Sequence, residues 1–292
     1  MRMSLSSFNR RPSQPVKTLS IGDRAATVIA IAAQKGGVGK TTTAVSLACA
    51  WARFHGLRVL LIDLDPQANC ALALRAGLGE GGGSLAEVLS EGKGKEVAEI
   101  AIDSGVPGLD LTPDDPELQQ VEARLAGKIG KELALRHAIE RSRTHYDLIV
   151  LDCPPHLGPL SVNALAAADQ VVVPCTPSAL ALAGVSGVVQ AIEEVRGQLN
   201  PNLALLGVVL TRVDARNKAT NGAAMSLIEE AFGELVLPEK VEVNNALAGA
   251  QLAGQDIFGH APGSRGARQY MDLAEALLMR IDQGAHLVSQ TD

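Results

Sequence analysis

The sequence predicts an α/β protein built on a doubly wound, mostly parallel sheet with helices on both faces. Short β-branched runs bounded by turn residues alternate with longer helical patterns, the signature of βαβ units. The strand runs are apolar throughout instead of alternating, as strands buried on two faces must be. The first of them passes through a glycine-rich turn directly into an apolar helix.

Thr27-Val-Ile-Ala-Ile-Ala-Ala33 is the first strand, and the helix after its turn runs to about His55. Leu57-Arg-Val-Leu-Leu-Ile62 is the second strand. Further strands are expected at Leu109–Thr112, Asp147–Leu151, Gln170–Val173 and Leu205–Leu210, with helices at 131–143, 180–198, 220–232 and 267–282. Residues 27–285 form a single domain on this reading. Residues 1–26 form a flexible basic tail, since Arg2, Arg10, Arg11, Lys17 and Arg24 face only Asp23 and no apolar segment suits a signal peptide. Residues 286–292 are a C-terminal tail. The uncharged stretch Gln170–Ile192 has the length of a membrane span, but Pro174 and Pro177 break it, so a strand, a loop and a helix are expected there.

Hydrophobic residues make up 47% of the 292 and charged residues 20%, which supplies a packed core. Aromatics are only 2%, so the core is aliphatic and base-stacking platforms for single-stranded nucleic acid are excluded. A net charge of −6 argues against wholesale nucleic-acid binding and leaves room for a local basic patch. Cys49, Cys70, Cys153 and Cys175 show no C-x-x-C spacing and read as reduced, buried thiols of a cytosolic protein, with neither a zinc site nor a disulfide frame.

Gln34-Lys-Gly-Gly-Val-Gly-Lys-Thr-Thr-Thr43 sits between strand and helix, the context a phosphate-binding loop requires. Gly36, Gly37 and Gly39 let backbone N–H groups approach phosphate, and Val38 and Thr42 belong to the same cradle. Lys40 neutralises β- and γ-phosphate oxygens, and Thr41 offers its hydroxyl to Mg²⁺. The second strand delivers Asp63-Leu-Asp-Pro-Gln-Ala-Asn69 to the same sheet edge, and acidic groups beside a triphosphate act through metal or water. Leu148-Ile-Val-Leu-Asp152 ends an apolar run in one carboxylate, the Walker B arrangement, which makes Asp152 a metal residue. His156 reads as a solvated loop histidine and Asp114-Asp-Pro-Glu117 as a helix start without a function.

Read from Lys35, K-G-G-V-G-K-T-T resembles the deviant Walker A ATPases, the family of ParA/Soj partition proteins, MinD and nitrogenase iron protein. The resemblance implies that Lys35 reaches across an ATP-sandwich homodimer to the partner's phosphates, the part an arginine finger plays elsewhere. It implies that Asp65 orients or activates the attacking water and that Asp63 supports the Mg²⁺ shell. D-x-D-P-Q-A-N, D-C-P-P, Asn200-Pro-Asn-Leu and Ser264-Arg-Gly-Ala267 look more like ParA/Soj than MinD over residues 27–282. The activity this likeness implies is that of a Mg²⁺-dependent ATPase, stimulated by DNA and a ParB-like partner, that binds double-stranded DNA nonspecifically and serves chromosome or plasmid partition in the cytoplasm, on the nucleoid. Positioning of a non-DNA cargo and MinD-like membrane regulation are the alternatives.

By the same resemblance Asp214-Ala-Arg216 matches a D-A-R segment, so Arg216, with Arg212 and Lys218, is a candidate for DNA phosphate contact. Arg212 has a second reading, beside the adenine. A lesser basic spot is Arg265 with Arg268. The sequence departs from the family where Ser178-Ala-Leu-Ala-Leu-Ala-Gly184 replaces an aromatic, acid-containing segment. It departs again at Val241-Glu-Val-Asn244, where only Asn244 carries over as a base contact. Met271–Ile281 is amphipathic but balanced in charge, which predicts a helix packed on the sheet and no membrane contact. Cys153 has no partner of the kind an iron–sulfur cluster needs.

Overall fold

A computed structural model describes residues 25–288 except 76, 92–95, 126–127, 129, 179 and 215. Almost all of the basic tail and the end of the C-terminal tail lie outside the described residues. Among the described residues one sheet of seven strands comprises β1 (Thr27–Ile31), β2 (Val59–Asp63), β3 (Ile102–Asp103), β4 (Leu109–Leu111), β5 (Leu148–Asp152), β6 (Gln170–Cys175) and β7 (Ala204–Leu210). Their order is β3-β4-β2-β5-β1-β6-β7, and every pairing is parallel except β3 against β4.

The continuous apolar runs are explained by two cores, one on each face. Along β1, Val28 and Ala30 enter one core while Ile29 and Ile31 enter the other, the two-residue alternation of a pleated strand. The second core is roofed by helices Lys40–His55 and Arg265–Val288. Trp51, fully buried, donates from Nε1 to the Ala274 carbonyl at 3.0 Å and so ties these two helices together. Helix Lys40–His55 ends at Gly56 with φ +66°, a left-handed stop whose N–H returns to the Trp51 carbonyl. The first core is covered by helices that include Pro159–Ala167 and Ala181–Gln198.

The expected 131–143 helix is divided into a 3-10 turn at Lys131–Leu133, a helix at Ala134–Ile139 and a second 3-10 turn at Ser142–Thr144. The buried Asn163 amide is the cause at its start: Oδ1 accepts from Leu135 N–H (3.1 Å) and Nδ2 donates to the Lys131 carbonyl (2.9 Å), taking groups a continuous helix would pair with itself. The 170–192 stretch folds as β6 and the start of helix Ala181–Gln198, and among the described residues no helix is long and apolar enough to cross a membrane. The C-terminal helix starts at Arg265, where Ser264 Oγ accepts from Ala267 N–H (3.1 Å), and it packs Tyr270, Leu273, Ala274, Leu277 and Ile281 against the sheet.

Candidate functional site

β1, β2, β5 and β7 deliver their carboxyl ends to one edge, where ligands bind in open parallel sheets. From β1 the chain enters the loop of Lys35 to Gly39. Gly37 and Gly39 hold φ +75° and +85°, conformations that require glycine, and helix Lys40–His55 starts without a side-chain cap. A helix start left to its own N–H groups and dipole attracts anions. Lys40 is buried at the base of the loop, while Lys35, Gly36 and Gly37 are exposed on top; Thr41 and Thr42 are half-buried between them.

Strand register sets the carboxylates. Asp63 of β2 is the direct partner of Asp152 of β5, which in turn neighbours Ile31 of β1, so both acids end beside the phosphate loop. Asp63 Oδ1 accepts from Asp65 N–H (2.9 Å) and Oδ2 from Cys70 N–H (2.9 Å). Asp65 Oδ1 accepts from Gln67 N–H (3.0 Å). Asp152 is 0% exposed; its Oδ2 accepts from the Cys70 thiol at 3.5 Å and its Oδ1 has no hydrogen-bond partner among the described residues. Burial pushes the Asp152 carboxyl up, the Asp63 charge adds to this, and the Thr41 hydroxyl and Lys40 oppose it. Burial also pushes Asp63 up, against the two backbone N–H donors.

Two buried carboxylates, one with an oxygen left over, and a threonine hydroxyl make a hard oxygen set that fits Mg²⁺. The glycine loop, Lys40 and the helix start fit nucleotide phosphates. Sequence reasoning missed Thr112, whose hydroxyl accepts from Asp63 N–H (3.0 Å), and Cys70, whose amide and thiol both face the acids. The one signal for Cys70 was its position in the first turn of a helix (Asn69–Leu74), where N–H groups seek a carboxylate.

The exit of β7 is tied to the same loop. Thr211 Oγ1 donates to the Val38 carbonyl (2.7 Å), and Arg212, at φ +52°, donates from Nη1 to the Gly37 carbonyl (3.3 Å). Val213 and Val241 to Val243 bond along their backbones, bringing Asn244 alongside; Asn244 Oδ1 accepts from Ala246 N–H (2.8 Å) and caps helix Asn245–Ala253. Arg212 therefore stands at the phosphate loop, and a different contact holds Arg216. That residue grips Asp214 in a two-bond fork (2.9 Å each), which holds the Asp214 carboxyl down at about 2. Lys218 is the first residue of helix Lys218–Phe232, and its side chain lies outside the described residues. Arg265 pairs with Glu242, and His156 stands 3.6 Å from Glu122. Ser178, Leu180, Ala181 and Gly184 line a shallow cleft with Lys35, Val38 and Cys175, so the departure at 178–184 adjoins Lys35.

Fold and site together define a P-loop ATPase. The AAA domain family matches residues 26–205. The chain is 43% identical over 255 residues to the chromosome-partitioning ATPase Soj of Thermus thermophilus, spanning 87% of this chain and 96% of that protein. It is 40% identical over 255 residues to the chromosome partitioning protein ParA of Caulobacter vibrioides, spanning 87% and 94%. Among solved structures, cobyrinic acid a,c-diamide synthase of Mycobacterium smegmatis with bound ADP and magnesium superposes with a TM-score of 0.73 at 33% identity, covering 89% of this chain and 96% of that one. The chain belongs to the ParA/Soj-type partition ATPases of the MinD/ParA family.

Proposed function

We propose that this partition ATPase pairs on ATP, binds double-stranded DNA nonspecifically as the pair, and is released when a ParB-like partner stimulates hydrolysis. The observation that carries the reading is the gathering of Lys40, Thr41, Asp63, Asp65 and Asp152 at one sheet edge beneath an exposed Lys35. The Lys35–Thr42 segment holds the phosphates, with Lys40 opposite the β- and γ-oxygens. Thr41, Asp63 and Asp152 hold Mg²⁺, which when bound neutralises charge on the phosphates. Asp65 has one oxygen engaged by Gln67 N–H; the other orients the water that attacks the γ-phosphorus as the bridging O–P bond breaks. Lys35 of each protomer reaches the other's phosphates and stabilises the charge that develops there. Arg212, bonded to the Gly37 carbonyl of the loop, and Asn244 contact the base end of the nucleotide.

Arg216 and Lys218 contact DNA phosphates, doubled by pairing, so binding falls steeply with salt and reads no sequence. On this reading the protein works in the cytoplasm, on the nucleoid. Sedimentation with ATP and Mg²⁺ tests the reading: the protein pellets with random duplex DNA and not with anionic vesicles. Pelleting with vesicles alone, or with DNA equally well without nucleotide, overturns it.

A further inference from the structure

We propose that Asp63, Cys70 and Asp152 form a binding site for a thiophilic divalent cation of the zinc class, overlapping the Mg²⁺ position. One ligand atom from each of the three lies within 4.8 Å of the others, and all three residues are buried. The thiol is 3.5 Å from Asp152 Oδ2, a spacing compatible with two ligands of one tetrahedral ion. Within that cluster Asp152 Oδ1, on a residue 0% exposed, has no hydrogen-bond partner among the described residues, and this buried oxygen is open to either cation. Mg²⁺ takes oxygen and has no use for sulfur, so the Cys70 thiol, a donor to Asp152 Oδ2 in the metal-free protein, stays outside its shell.

A borderline-soft ion uses all three ligands. As the sulfur–metal bond forms, the S–H bond breaks and its proton passes to solvent; water completes the coordination. Two carboxylates and one thiolate balance the ion together with the nearby Lys40. The site makes nucleotide turnover sensitive to zinc-class ions, which hold the acids against Mg²⁺. Chain spacing gave no hint of it, because the ligands come from β2, from a helix start and from β5.

The test titrates Co²⁺ into the full-length, nucleotide-free protein and reads the near-ultraviolet sulfur-to-cobalt charge-transfer band. The wild type shows a band that saturates at one equivalent and is bleached by Zn²⁺. Cys70→Ser abolishes it, and Cys175→Ser, at a buried thiol outside the cluster, keeps it. Should Cys70→Ser fail to fold, Asp152→Asn serves instead and weakens cobalt binding by about tenfold or more. No band in the wild type, a band that survives Cys70→Ser, a band lost in Cys175→Ser, or unweakened cobalt binding in Asp152→Asn overturns the proposal. The titration contains neither nucleotide nor DNA, so its failure leaves the partition reading standing, and the reverse holds too.

Discussion

Asp152→Asn is expected to stabilise the metal-free protein while removing its response to Mg²⁺. Asp152 is fully buried, one oxygen has no partner among the described residues, and its direct neighbour in register is another buried acid, Asp63. An ionised carboxylate in such a place carries an effective desolvation cost of several kcal/mol. The Thr41 hydroxyl offsets part of it, a hydrogen bond to a charged group contributing about 1.5–3 kcal/mol, and the Lys40 charge acts in the same direction. The isosteric amide removes the charge and offers Asp63 a donor in place of repulsion, for a net gain of roughly 2 kcal/mol after those losses. At about 2–4 °C per kcal/mol for a domain of about this size, the melting temperature rises by on the order of 5 °C. The sign of the pH effect is set by the same two acids. The folded wild type binds protons at Asp63 and Asp152 more tightly than the unfolded chain, whose value is 3.8, so metal-free stability increases as pH falls from above the raised folded values towards 3.8. The variant flattens that slope. Thermal melts with and without Mg²⁺ across this range are the assay. A variant that melts below wild type without metal, or that Mg²⁺ stabilises as much as wild type, refutes the reasoning.

Lys40→Ala abolishes nucleotide binding in calorimetry, whereas Asp65→Ala keeps binding, loses turnover and remains on DNA as a pair; normal turnover in the latter removes Asp65 from the mechanism. Lys35→Ala lowers turnover by about 10³ if it acts as an arginine finger does, and it prevents ATP-dependent pairing in light scattering. Arg216→Glu weakens DNA retention and reduces the salt slope by about 2 for a pair losing two phosphate contacts, with pairing intact. Trp51→Ala costs about 3–5 kcal/mol in denaturant unfolding, because a fully buried ring and its bond to Ala274 are both lost.

The parallel strands are legible in the sequence because each is buried on both faces and so reads as an unbroken apolar run; β5, fully buried from Leu148 to Asp152, is the clearest case. β3 is not, since Ile102 and Asp103 are too short for any periodicity and only β4 makes them a strand. The 131–143 segment reads as one continuous helix because nothing in its own residues reveals that Asn163, on another helix, takes its backbone groups. At the site, the phosphate loop and the acids are visible as motifs. The bonds of Thr211, Arg212 and Cys70 are not, because each joins segments whose contact depends on strand order. Nor does local pattern reveal that Arg212 takes a left-handed backbone angle and bonds the Gly37 carbonyl.

The position of β1 has a consequence for biosynthesis. It is made before either of its neighbours, β5 and β6, which come from residues 148–175, and later bonds to its loop come from Thr211 and Arg212. An apolar strand thus waits unpaired while well over a hundred residues are translated, an aggregation hazard that chaperones exist to cover. A nascent chain stalled before β7 is expected to be without a finished phosphate loop, which ties acquisition of the nucleotide to synthesis of Thr211 and Arg212.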